Sequence, residues 1–363
     1  MRTAVVLLNF GEPEEPTLEA VLPFLERIFA RNAPLEATAS PEAARRRARE
    51  LAERRAPGLV ADYEKIGGSP LGRQSRAQAE ALRAELERRG HELAVVVANQ
   101  FTDPTIPGVV TLLRERGFAR LIGIPVYPLC GWSTNVAALE EMRDAAEAVG
   151  GGKLPRVEVH ELNGWHPHPT YIELWADAIG GLARERGLDL RDPDTELYFS
   201  AHGTPIKYLE QGSRYDLYVE DFCREVARTL GVEDYALGYQ NHANRGVAWT
   251  EPDNERRIRE VTAARVVVAP ISFMHEQSET LAELDIDFRH ESEHLGLEFH
   301  RVPVPHDDPR FAVVLADLVV PVLEGAGLEE AGFASCRCRR APGAVCLNAL
   351  RAFPRRILTP VEH

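Results

Sequence analysis

The chain has 363 residues, enough for two ordinary domains each with its own core, and 44% hydrophobic with 27% charged residues is the composition of a globular protein. A net charge of −14 excludes a basic nucleic-acid face, and the Arg-rich piece Arg45 to Arg55 is interleaved with Ala, Glu and Leu as a solvated helix is. No stretch reaches the roughly 18 uninterrupted apolar residues of a spanning helix, and five cysteines, three of them crowded near the C-terminus, do not make a secreted disulfide scaffold.

Met1 to Asn9 runs straight into a first strand with no small-residue cleavage site behind it, so a cytoplasmic protein is expected. Thr3 to Leu8 reads as that strand, and Asn9-Phe10-Gly11-Glu12-Pro13 as the loop at its end. Leu18, Val21, Leu22, Leu25, Ile28 and Phe29 recur at the spacing of one helix face, which packs on the core or forms an apolar lip over a pocket. Pro41 to Leu59 is a polar helix ending near Pro57. Tyr63 to Leu71 is a Gly/Pro loop whose Gly67-Gly68 is a weak phosphate-loop signal, since no Gly-Lys-Ser/Thr follows. A helix from Gln74 to Arg89 grows out of it, and strands at Leu93 to Ala98 and Arg120 to Val126 flank a helix around Pro107 to Arg116. After Tyr127 to Thr134 a helix resumes, Gly150 to Gly152 form a joint, and Arg156 to Leu162 is a strand.

The alternation then restarts. A helix at Thr170 to Arg186 leads to a strand at Leu197 to Ala201, a helix at Tyr215 to Leu230, and strands at Tyr235 to Tyr239 and Val266 to Ala269. A helix from Ser278, a strand at Glu298 to Arg301 and a helix at Arg310 to Leu323 complete it. The fold class is therefore α/β: two similar doubly wound, Rossmann-like halves with parallel sheets, residues 1–168 and 169–323. A Cys-containing extension, 324–363, is expected to join neither sheet.

Three stretches carry chemistry. His202 ends an apolar strand and is followed by Gly203 and Pro205, which places an imidazole at the carboxyl edge where open α/β sheets bind ligands, or leaves it as a plain strand cap. Glu276, Glu279 and Glu283 fall at i, i+3 and i+7, so on a helix they share a face. Such a row is a solvated acidic face or, in a cleft, a cation path or proton relay with raised pKa values. Gln240 to Trp249 is a polar loop closed by a flat ring that stacks on a flat ligand or packs in the core.

Together with Leu8 to Pro13, Arg54 to Pro57, Tyr63 to Leu71, Tyr127-Pro128 with Ser133-Thr134, Ser200 to Gly203 and Glu279 to Asp285, these stretches run in the order of one family over nearly the whole chain. The chain resembles the ferrochelatases. The resemblance implies a two-halved chelatase-like fold that inserts Fe2+ into a porphyrin in haem synthesis, the porphyrin being protoporphyrin IX or coproporphyrin III. It implies His202 and Glu279 as the catalytic pair meeting the iron across the ring plane, with Glu276 and Glu283 as a relay. Porphyrin contacts would come from Phe10, Pro13, Leu25, Phe29, Ser69, Gln240 and Trp249, and peripheral membrane contact from the Phe24 to Phe29 lip.

Four departures stand out: Gln277 where the family usually has His, with His275 displaced by two; Gln100-Phe101 for Arg-Tyr; Gly212-Ser213-Arg214-Tyr215 for Gly-Asp-Pro-Tyr; and a Gly67 loop one residue short. The alternative from another class is a non-catalytic porphyrin or haem carrier. A histidine phosphatase would want Arg directly before the histidine, where Ala201 stands.

Cys336, Cys338 and Cys346 lie beside Arg337, Arg339 and Arg340, which primes the thiolates to bind metal. A [2Fe–2S] cluster needs four ligands, and Cys130 and Cys223 are available. Some ferrochelatases hold such a cluster on three C-terminal cysteines and one from the first half. By that resemblance Cys130 is the fourth ligand, its loop matching the region that supplies it, while Cys223 falls within a helix. Zinc and ordinary reduced thiols are the alternatives.

Overall fold

The computed structural model describes residues 1–32, 40–149, 157–241, 247–325, 329, 331–339 and 341–350. The Gly150 to Gly152 joint and His242 to Gly246 of the Trp249 loop lie outside them. Seven consecutive buried residues, Thr3–Asn9 (β1), lie between Ala94–Asn99 (β2) and Arg120–Pro125 (β3), both parallel to it, with Val6 opposite Val96 and Gly123. Glu158–Asn163 (β4) continues this sheet. In the second sheet Thr195–His202 (β5) lies between Ala236–Gln240 (β6) and Arg265–Pro270 (β7), with Glu298–Arg301 (β8) beyond. Strands sandwiched on both faces carry unbroken apolar runs, which is why β1, β5 and β7 are readable from sequence.

The strand orders β2-β1-β3-β4 and β6-β5-β7-β8 are the same. In each, the order reverses beside the first strand, so loops leaving the carboxyl ends part to opposite faces and open a crevice. The expected α/β architecture with parallel sheets is what the chain adopts.

The helices are Leu18–Asn32 (α1), Pro41–Ile66 (α2), Leu71–Arg88 (α3), Ile106–Glu115 (α4), Ala137–Ala148 (α5), Pro169–Arg186 (α6), Ile206–Glu210 (α7), Tyr215–Leu230 (α8), Asn254–Ile258 (α9), Arg289–His294 (α10) and Pro309–Glu324 (α11). α7 and α9 went unpredicted because five residues are too few to show a helical period. α2 continues through Pro57, where a stop was expected: its buried stripe, Ala48, Ala52, Ala56 and Tyr63, packs on Val21, Phe24, Leu25 and Ile28 of α1 and offsets the lost hydrogen bond. That packing uses the apolar face of α1 and leaves Leu18, half exposed, as its large exposed apolar side chain.

One buried cluster runs through both sheets, joining Leu7 and Ile124 to Leu197, Phe199 and Val267 by way of Trp175 of α6 and Leu315 of α11. The two halves are therefore held by a shared core. The C-terminal extension corrects the expectation of a segment outside both sheets. Ala344–Cys346 (β10) pairs parallel with β4, Ala344 opposite Glu161, and antiparallel with Ala334–Ser335 (β9). Buried Glu161 accepts from Arg143 and from Arg339 of the extension, which ties the added strands to β4.

Candidate active site

The carboxyl edges of the two sheets face a cleft enclosing about 1050 Å³ of space that opens to solvent. Phe10 enters it from the loop after β1, Tyr127 and Ser133 from that after β3, His202 from the end of β5, and Phe273 and Glu279 from the segment after β7. Two π-helical segments flank it, Trp132–Val136 and Glu279–Phe288. Such segments are rare and cluster at functional sites. Neither was expected, because a π turn has no side-chain signature separate from an α-helix.

His202 is fixed at both ends. Its backbone N–H donates to Ser272 Oγ at 3.0 Å, and its ring Nδ1 lies 2.7 Å from the Gly203 carbonyl oxygen. A carbonyl can only accept, so Nδ1 carries a proton, and in the neutral ring the lone pair is on Nε2. The rings of Trp249 and Phe273 pack edge-on to the imidazole at 6.4 and 6.3 Å.

Glu279 opens the longer π segment and is half-buried. Its Oε2 accepts from Gln277 Nε2 at 2.8 Å and lies 2.9 Å from Ser278 Oγ. Behind it, Glu12 is 5% exposed and accepts from Ser69 Oγ at 2.6 Å, Ser278 Oγ at 2.5 Å and Ser278 N–H at 3.2 Å. Burial, then the Glu279 charge, pushes the Glu12 carboxyl up to about 7. Glu283, one turn on, accepts from Gln240 Nε2 at 3.2 Å and is pushed up to about 8, first by burial and then by Glu279. The Tyr63 hydroxyl is fully buried against the same carboxylates, close to Glu12 and Ser278.

The structure regroups the expected carboxylate row. Glu276 lies ahead of the helix, so it does not share a face with Glu279 and Glu283. Arg301 binds its two oxygens at 2.8 and 3.0 Å, and Val304 N–H and the Thr280 hydroxyl complete the shell. Arg301 also grips Asp285 at 2.7 and 2.6 Å, so Glu276 is neutralised in a structural triad apart from the relay assigned to it. The row that does form is Glu12, Glu279 and Glu283. His275 is buried against α3, bonded to Ser75 and Gln78, and burial pushes it down to about 3, which keeps it neutral.

Of the expected porphyrin contacts, Phe10 and Trp249 line the cleft. Leu25 and Phe29 turn onto α2 and leave Ile28 and Arg31 to form the overhang, while Pro13 is buried off the wall. Ser69 and Gln240 stand behind the carboxylates, Gln240 Nε2 also donating to the Glu279 carbonyl at 3.0 Å. Ser69 reaches Glu12 because α2 ends at Gly67 and the chain reverses through Gly68, whose φ of 88° suits glycine and where a Cβ would strike the Glu14 carbonyl. The Gly-Gly pair is thus a turn.

A cleft with an imidazole on one strand end and buried carboxylates around it suits removal of protons and capture of a hard cation. Comparison with known proteins decides what it serves. A sequence model of the family described as Ferrochelatase matches residues 2–322. The chain belongs to the ferrochelatase family. It is 36% identical over 331 residues to the ferrochelatase of Synechococcus sp. strain JA-3-3Ab, covering 89% of this chain and 94% of that protein. Against the ferrochelatase of Geotalea uraniireducens the identity is 32% over 327 residues, covering 88% and 97%. Among solved structures, SirB from Bacillus subtilis with Fe3+ superposes with a TM-score of 0.49 at 11% identity over 91% of this chain and 98% of that one. As a ferrochelatase, the chain is a metal chelatase that inserts ferrous iron into a porphyrin for haem synthesis, and the carrier reading is set aside.

Glu12 and Tyr63 are the site residues that sequence reasoning missed in this ferrochelatase. Both stood inside stretches recognised as family-like, but their role is visible only once β1, α2 and the segment after β7 converge. The cysteines also converge. Cys336 lies within hydrogen-bonding reach of Cys130, Cys338 and Cys346, and Cys130 also reaches Cys338. Asn163 Nδ2 donates to Cys130 Sγ at 3.0 Å, and Tyr218 OH lies 3.2 Å from Cys338 Sγ. Cys223 is buried elsewhere, on α8. Among the described residues no group of three or more His, Cys, Asp or Glu side chains is arranged around a single metal ion.

Proposed function

We propose that His202 and Glu279 work on opposite faces of the porphyrin. His202 Nε2 takes one pyrrole proton, and Glu279 takes the other and holds the iron as it loses water. The observation that carries this reading is that both line one cleft, the imidazole held by Gly203 in the tautomer that presents a basic Nε2. His202→Ala should lower iron insertion by on the order of 100-fold while porphyrin still binds, as read by fluorescence quenching. Unchanged turnover would remove the assignment.

The porphyrin best suited to the cleft is protoporphyrin IX. Among the described lining residues Arg31 is the cation, and it already faces Glu141 at 3.6 Å, while the wall is largely apolar or aromatic. That favours a ring with two carboxylates over coproporphyrin, which has four. An anaerobic assay with ferrous iron and each porphyrin tests it, and a higher kcat/KM for coproporphyrin III would reverse the choice.

The four converging thiols fit a [2Fe–2S] cluster in donor type and number: Cys130 from the first half, and Cys336, Cys338 and Cys346 from the extension. Bound there, the cluster would supply a one-electron redox centre. None of the five cysteines is in a disulfide, in keeping with a reducing compartment such as the cytoplasm. Among the described residues no helix is long and apolar enough to cross a membrane.

A further inference from the structure

We propose that His290 and His294 together hold a divalent transition cation on the protein surface, at a site separate from the cleft. The helix that opens with Glu279 does not stop at Phe288. It runs on into α10 and ends at Leu295, after which the chain turns away through Gly296 at a φ of 83°. Its last turns read His290-Glu291-Ser292-Glu293-His294. Histidines four residues apart share one helix face, the spacing by which a helix offers two imidazoles to one metal ion.

The structure adds what spacing alone does not supply. Ser292, on the opposite side of the turn, is buried and bonds the Phe288 carbonyl at 2.7 Å, so the face that carries the histidines is turned outward. Both imidazoles are exposed, with ring centres 4.2 Å apart and planes inclined by 59°. Two nitrogens bound at about 2 Å to one ion stand roughly 3 Å apart, a separation that rings this close reach by rotating about their side-chain bonds. His294 Nδ1 lies 2.9 Å from the His290 carbonyl oxygen. The carbonyl only accepts, so Nδ1 carries a proton, and in the neutral ring Nε2 keeps the lone pair that a metal takes. A hydrogen bond from the second ring nitrogen to a carbonyl is what orients the histidines of metal sites.

The same spacing occurs in zinc hydrolases, where the glutamate after the first histidine is the base and a third ligand comes from elsewhere. Here Arg259 Nη2 binds Glu291 at 2.8 Å, and among the described residues no third His, Cys, Asp or Glu joins the pair. The site is a two-imidazole holding site whose remaining positions go to water, and it has no free base for hydrolysis. Imidazole ligands select Zn2+, Ni2+ and Cu2+ over Mg2+ and Ca2+, and ferrous iron ranks below all three. A bound ion cross-links residues four apart and so staples the far end of the helix that begins at Glu279.

The test is calorimetric titration of the untagged protein with Ni2+ in oxygen-free buffer, with Mg2+ as the control. Expected is one equivalent of Ni2+ whose affinity falls on the order of ten-fold or more in His290→Ala and again in His294→Ala, and which persists in Glu279→Gln and in Cys336→Ser. Neither histidine touches the cleft, so iron insertion without added Ni2+ should stay at the parental rate in both variants and report that they fold. The rise in melting temperature on adding Ni2+ should be smaller in both histidine variants than in the parent, and an equal rise would remove the staple. Parental Ni2+ affinity in either histidine variant would overturn the shared site. Loss of the equivalent in Glu279→Gln or Cys336→Ser, with none in the histidine variants, would instead assign the ion to the cleft or the cysteines.

Discussion

Replacing Glu12 with Gln should make the protein more stable in mildly alkaline solution and leave it unchanged in acid. Glu12 is 5% exposed, and burial followed by the Glu279 charge raises its carboxyl from 4.5 to about 7. The folded state thus holds this proton more tightly than the unfolded chain. The associated stability is fully present below the unfolded value of 4.5 and is lost as pH rises through about 7. That interval corresponds to about 3 kcal/mol. Glutamine fits the site: its oxygen can accept from Ser69 Oγ and Ser278 N–H, and its amide can donate to Ser278 Oγ, whose proton then serves Glu279. Urea unfolding followed by tryptophan fluorescence should place the variant about 2–3 kcal/mol above the parent near pH 8 and level with it near pH 4.5. A difference of the same size at both pH values, or a less stable variant at the higher one, would refute the reasoning.

Arg301→Met leaves Glu276, 9% exposed, without its counter-charge and should cost about 3–5 kcal/mol in urea unfolding, with part regained on adding Glu276→Gln. Gly203→Ala would drive a Cβ into Asn241 Oδ1 and the Gln240 carbonyl, moving the carbonyl that sets the His202 tautomer; kcat should fall on the order of 100-fold with circular dichroism unchanged. Cys336→Ser should abolish visible absorbance and the reduced-state paramagnetic signal of protein purified without oxygen; a colourless, iron-free parent would remove the cluster.

What the sequence made legible was whatever depends on near neighbours. β1 and β5 announce themselves because each is buried on both faces, and His202 marks a strand end because Gly203 and Pro205 follow it. What stayed hidden depends on partners that only topology supplies. Glu276 looked like part of a row until Arg301, 25 residues on, claimed it. Glu12 looked like an ordinary loop residue because its partners lie 57 and 266 residues away. The extension hid its strand because β10 has three residues and β9 two, too short to show a strand period, and β10 joins the sheet through distant β4. Cys130 was tied to the extension by family resemblance, and residue spacing carries no trace of that proximity.

Iron insertion exchanges two protons for one dication, so carboxylates that have held the iron keep the same compensation when it passes into the ring if they take up the two protons in its place. Arg301 is engaged by Glu276 and Asp285, and Arg31 at the mouth by Glu141, which leaves the Glu12, Glu279 and Glu283 group without a close counter-charge among the described ion pairs. Such a group binds either a cation or protons readily, and values of about 7 for Glu12 and about 8 for Glu283 place the exchange near neutral pH. With ordinary carboxylate values, near 4.5, the group would still attract iron but would release each pyrrole proton to water at once. On the proposed roles, burial of this group, Glu12 behind Ser278, brings its affinity for protons close to the pH at which it would give up a cation.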